Sequence, residues 1–227
     1  MIQYENLVLI GTSHIAIESV NEVKRVIKDL EPGFVALELD RGRFMGLMSK
    51  ERKRLSLGDI RKFGVKGFLF NLFGAWVEDK LGRVVKVKPG SEMKAAVFSA
   101  AKIKSKVVLI DQDISITIRN LVQGVTFKEK WRFFTDIIKG FLYKKKMVAE
   151  FGNIDLRKVP SEKVIIKVVK RVEERYPSVF KALIDDRNKV MAKKLVNLMT
   201  KFPDTKIVAV VGAGHVEGML ALIKKSI

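Results

Sequence analysis

Four short apolar runs constrain this chain more than any other feature: residues 7–10 (LVLI), 34–39 (FVALEL), 107–110 (VVLI) and 207–211 (IVAVV). Each is β-branched or strongly apolar and is bounded by turn or charged residues, the pattern of strands buried on both faces. Helical patterns separate them. Residues 19–30 (SVNEVKRVIKDL) set Val20, Val23, Val26, Ile27 and Leu30 on one stripe, with Ser19 as the N-cap. Residues 91–103 follow Pro89-Gly90 and start like a capped helix. Buried strands joined by helices predict an α/β fold with a mainly parallel central sheet covered by helices.

The middle of the chain departs from this alternation. Residues 57–88 contain an apolar, glycine-punctuated stretch (GVKGFLFNLFGAWVEDKLGRVVKVK), and a second block, FKEKWRFFTDIIKGFLYKKKMVAEF, is basic and aromatic. We read helical insertions at about 57–88 and 125–176 within one α/β domain spanning 1–227. Core packing is the simplest fate of their aromatic residues; an interfacial membrane surface or a homodimer interface are the alternatives.

The charged residues that could carry chemistry cluster by position. The only two histidines follow strands: His14 in the turn Gly11-Thr12-Ser13-His14, and His215 in Gly212-Ala213-Gly214-His215. Glu38 closes the second run, while Asp111 and Asp113 follow the third. Parallel α/β sheets bind ligands beyond the carboxyl ends of their strands, where all of these residues fall. Two histidines and a carboxylate can hold a divalent metal with positions left for water and substrate; loop residues capping strand or helix ends are the alternative. Glu38 ends an apolar run, so its carboxylate needs a partner; Arg43 is one candidate, and a purely structural salt bridge is the alternative to a chemical role. Arg187 falls on the stripe Phe180, Ile184, Met191, Leu195 and Leu198 of a helix over about 178–200. A charge on that face requires an acidic partner or an anionic substrate, unless the helix is rotated and the side chain snorkels to water. Arg119 is a weaker case of the same kind.

Composition removes several alternatives. With no cysteine, disulfides and thiolate metal sites are excluded. VVGAGHVEG resembles a dinucleotide fingerprint, but its third glycine, Gly218, comes one residue late for G-x-G-x-x-G and no strand follows it. No nucleophile elbow, P-loop or H-E-x-x-H helix is present. The net charge of +19 favours an anionic partner or a Lys-rich solvated surface, with no recognition module for a specific nucleic acid. The longest apolar run, 67–77, is interrupted by Asn71 and falls short of the ~20 residues a spanning helix needs. With no signal peptide visible, the expected location is the cytoplasm or the cytoplasmic face of the membrane.

Taken together, GTSH at 11–14, ELDRGR at 38–43, PGSEM at 89–93, DQDISITIRN at 111–120, DDRNKVM at 185–191 and VGAGHVEG at 211–218 resemble the TraB/PrgY–Tiki family. The ordered set carries the resemblance; a single G-x-x-H is common. The resemblance implies a fold related to erythromycin-esterase-like and ChaN-like proteins. It also implies Tiki-like metalloprotease chemistry: a divalent metal (Mn, Co or Zn) held by His14 and His215, with Glu38 as ligand or general base. Arg43 and Arg187 would orient substrate or stabilise an oxyanion, and Arg119, Asp113 and Asn188 would contact substrate. TraB and PrgY proteins shut down a peptide pheromone, which implies a peptide partner, cleaved or merely sequestered. Two departures are mild: Asp111-Gln112-Asp113 stands where relatives often have Asp-Arg-Asp, and Asp186 where they often have Glu. Similar prokaryotic proteins often continue into a hydrophobic membrane region, so a longer membrane-anchored protein and a stand-alone form both fit.

Overall fold

The computed structural model describes residues 1–12, 17–49, 90–142 and 162–227. His14 and the expected helical insertion at 57–88 lie outside them. Five strands form one sheet in the order β1-β2-β5-β3-β4: β1 (Ile2–Tyr4), β2 (Leu7–Thr12), β3 (Phe34–Leu37), β4 (Lys106–Leu109) and β5 (Ile207–Gly212). All neighbours are parallel except β1, which runs antiparallel to β2 at the edge. The four expected strands are present with ends moved by one or two residues. β1 is an addition: three residues are too few to show a period.

The helices are α1 (Ile17–Leu30), α2 (Arg41–Met48), α3 (Ser91–Lys102), α4 (Ile114–Gly124), α5 (Phe127–Leu142), α6 (Glu162–Arg175), α7 (Pro177–Phe180), α8 (Asp186–Lys201) and α9 (Ala213–Ser226), with a π turn at Lys181–Asp185 between α7 and α8. They cover both sheet faces, and the alternation along each strand decides which residues meet which layer. Leu7, Leu9, Ile207, Ala209 and Val211 pack with Met191, Leu195, Met219 and Ile223 of α8 and α9. Val8, Ile10, Val35, Leu37, Val208 and Val210 pack with Val23, Val26 and Ile27 of α1 and Met93 and Ala96 of α3. Ser19 is not an N-cap: α1 already runs at Ile17, and Ser19 is buried inside it. The start of α3 follows the expected turn, since Gly90 caps it at φ 81°, a left-handed conformation that glycine adopts without strain.

Two features of this architecture build the site. The last strand, β5, enters between β2 and β3, with Thr12 opposite Gly212 and Leu37 opposite Val210. The carboxyl ends of β2, β5 and β3 therefore adjoin. The second feature is the π turn, in which the Asp186 N–H bonds back to the Lys181 carbonyl. A wider turn shifts the phase of everything after it. The turn sets Phe180 and Ile184 out of phase with α8, whose buried stripe is Asn188, Met191, Ala192, Leu195 and Met199, rather than one through Arg187 and Leu198.

Candidate functional site

Glu38 follows β3 directly, and its side chain is only 4% exposed. Its Oε1 accepts from Arg187 Nη2 and lies 3.3 Å from His215 Nε2, while Oε2 accepts from the Gly212 amide at 2.5 Å. Burial alone would push this carboxyl upward. The hydrogen bond and charge of His215, the Arg187 guanidinium and the Gly212 amide outweigh it and hold Glu38 well below the usual carboxylate range.

Asp111, two residues past β4, forms the other acidic pole, with no side-chain exposure. Its carboxylate accepts from Arg187 Nη2 at 2.6 Å and Nε at 3.2 Å, from Arg43 Nη2, and from the Gln112 amide at 2.8 Å. Arg187 thus does find the acidic partners its position demanded, although the route differs from the expected stripe. The side chain leaves the edge of the buried face and bridges Glu38 and Asp111, and Nη1 reaches the Leu183 carbonyl at 3.2 Å and His215 Nε2 at 3.1 Å.

Arg43 is not the partner of Glu38. It pairs with Asp111 and, through Nε at 2.6 Å, with Asp40. Asp40 also caps α2, accepting from the Arg43 amide at 2.9 Å, so the DRGR sequence closes a local loop before reaching across to β4. Asp40 and Asp111 were the components that sequence reasoning underused. Asp40 carried a legible signal as an N-cap three residues before an arginine.

His215 lies on the first turn of α9, buried to 5% exposure. Its Nδ1 is 2.7 Å from Asn188 Oδ1. An amide oxygen can only accept, so Nδ1 carries a proton. Without a proton, Nε2 accepts from Arg187; with one, it donates to Glu38. Asn188 therefore holds the imidazole, the orienting role familiar behind metal-bound histidines.

The remaining predicted site residues stand apart from this cluster. Asp113 caps α4, its Oδ1 accepting from the Ser115 amide at 2.8 Å and hydroxyl at 2.5 Å. Arg119 is exposed on α4. For His14, the described chain ends two residues earlier at Thr12, which is paired with Gly212.

The cluster brings together three carboxylates (Glu38, Asp40 and Asp111) and two guanidiniums (Arg43 and Arg187). Lys194 adds a third positive charge, its Nζ donating to the Asp111 carbonyl at 2.7 Å, so these described groups balance. Nε2 of His215 and Oε1 of Glu38 are both donors for a divalent cation. The donors also fit one geometrically: two ligands at metal bonds of about 2.1 Å, at a tetrahedral angle, stand about 3.4 Å apart, close to the 3.3 Å between Nε2 and Oε1. Among the described residues no group of three metal-ligating side chains occurs, so these two would require further ligands.

The model of the TraB/PrgY/gumN family matches residues 3–226. The chain belongs to this family. It is 36% identical over 222 residues to an uncharacterized protein of Methanocaldococcus jannaschii, covering 97% of this chain and 54% of that protein. It is 20% identical over 235 residues to the TraB domain-containing proteins of Homo sapiens and Mus musculus, covering 93% of this chain and 61% of each. The chain thus spans little more than half the length of these relatives. Among its described residues, no helix is long and apolar enough to cross a membrane.

Proposed function

We propose that this TraB-family chain is a divalent-metal-dependent hydrolase acting on peptides, with His215 and Glu38 among the metal ligands and His14 completing the set. The observation that carries this reading is Nε2 of His215 standing 3.3 Å from Glu38 Oε1, with Asn188 holding the imidazole from its other side. When bound, Mn, Co or Zn would supply Lewis acidity and a water activated near neutral pH. The chain's own residues do the rest. Asn188 fixes the histidine tautomer, and the Gly212 amide and Arg187 keep Glu38 ionised. Arg187 would meet negative charge developing on a substrate oxygen through the Nη1 N–H that now reaches His215. Arg43 holds Asp111, and through it the position of Arg187.

A second reading has its own support. Arg187 contacts both Nε2 and Oε1, so a guanidinium already stands as a cation beside the two donors. A site filled in this way suits a protein that sequesters a peptide without cleaving it. Mass spectrometry of peptides incubated with metal-loaded protein separates the two. Hydrolysis predicts new peptide termini that vanish in Glu38→Gln and His215→Ala; peptides retained intact on the protein favour sequestration.

The partner reading extends to an anionic membrane surface, on the cytoplasmic side. Its support is the net charge of +19 together with the exposed Phe127, Trp131 and Phe134 of α5, flanked by exposed Lys128 and Lys130.

A further inference from the structure

A cavity of about 440 Å³ adjoins the charged cluster on the side of α6 and α9. Its size falls in the range of small-ligand pockets, roughly 300–1,000 Å³. Ile165 and Val169 of α6, Ile184 of the π turn and Val216 of α9 line it. Among the described residues no Lys or Arg lines this cavity, and the one ionisable side chain there, Glu217, is exposed. These walls would not favour an anion, whereas an uncharged aliphatic group would exchange water for apolar contact.

Asn188 and Gly214 line the cavity and adjoin His215, so the cavity lies beside the site. Asn188 Oδ1 holds His215, and its Nδ2 faces Gly218, where an added Cβ would approach to 2.5 Å. The lack of a side chain at Gly218 therefore lets Asn188 stand as a thin wall between the imidazole and the cavity. Gly214 precedes His215, and an added Cβ there would lie 3.5 Å from Val169 Cγ2.

The geometry points to a specificity pocket for an aliphatic side chain, such as leucine, next to the scissile bond of a peptide. This rests on the peptide-hydrolase reading for the bond that is cut, but the binding event can be observed without cleavage. Methyl NMR of metal-free protein, titrated with capped tri-leucine and capped tri-glycine peptides, provides the test. The leucine peptide should shift the methyls of Ile165, Ile184 and Val216, and the glycine peptide should leave them unmoved. Val169→Trp, which fills the cavity, and Ile165→Glu, which places a charge in its lining, should each weaken leucine-peptide binding by about tenfold or more. Silent methyls at saturation, or unchanged affinity in both folded variants, would overturn the assignment. A leucine peptide that binds the cavity yet stays intact with metal would keep the pocket and remove the hydrolase. Cleavage of leucine peptides that neither variant alters, with silent methyls, would do the reverse.

Discussion

Arg187 is held by carboxylates from two strands, and its side chain is 13% exposed. Replacing it with methionine leaves buried Glu38 with only His215 and the Gly212 amide, while Asp111 keeps Arg43. Removing one partner of a buried pair typically costs about 3–5 kcal/mol, so Arg187→Met should lose stability of that order in urea unfolding at pH 7. The pH dependence follows from Glu38, whose folded pKa lies below the ordinary 4.5. Its contribution is present above about 4.5 and disappears as pH falls through the lower folded value. The gap between wild type and Arg187→Met should therefore narrow once the solution falls below pH 4.5. At this scale the sequence was informative where burial forced a conclusion. A charge near an apolar helical face needs an acid, and Arg187 has two. It was uninformative where partners depend on three-dimensional register: nothing in the chain pairs Asn188 with His215 or Arg43 with Asp111.

The elements show the same division. Strands were legible because parallel strands covered on both faces are continuously apolar. The π turn was not, since a single extra residue per turn leaves no compositional mark, and it set Phe180 and Ile184 out of phase with the α8 stripe. Among the elements, Glu129 joins two helices. It accepts from the Thr126 amide at 2.9 Å and hydroxyl at 2.8 Å in a capping box, and from the Ser178 amide at 2.8 Å on α7. Burial pushes this carboxyl up, but the Thr126 and Ser178 donors outweigh it and bring its pKa down to about 2. Glu129→Gln turns one acceptor into a donor facing other donors, and should cost about 1–3 kcal/mol at pH 7. The depressed pKa means that Glu129 stabilises the fold above about 4.5 and stops doing so as pH falls to about 2. Acid titrations of the two proteins, followed by circular dichroism, should converge across that window.

On the scale of the whole molecule, charge and site pull in opposite directions. The surface carries a net +19, while the carboxyl edge of the sheet concentrates Glu38, Asp40 and Asp111. Exposed-charge attraction is screened beyond about 10 Å at 0.1 M salt. Co-sedimentation with phosphatidylserine vesicles should therefore fall steeply as salt rises, neutral vesicles should retain little protein, and Trp131→Ala should weaken the interaction. The sheet and its site edge could be anticipated from motif order, but the surface could not, because exposure of the α5 aromatics depends on which neighbours cover them. The central claim concerns that edge: a divalent ion shared by His215 and Glu38. Elemental analysis of wild type, His215→Ala and Glu38→Gln, each equilibrated with trace Mn, Co and Zn and then dialysed, addresses it directly. A shared ion predicts roughly one retained metal per wild-type chain and none above background in either variant. A wild-type protein that retains no metal, or variants that retain as much as wild type, would contradict it.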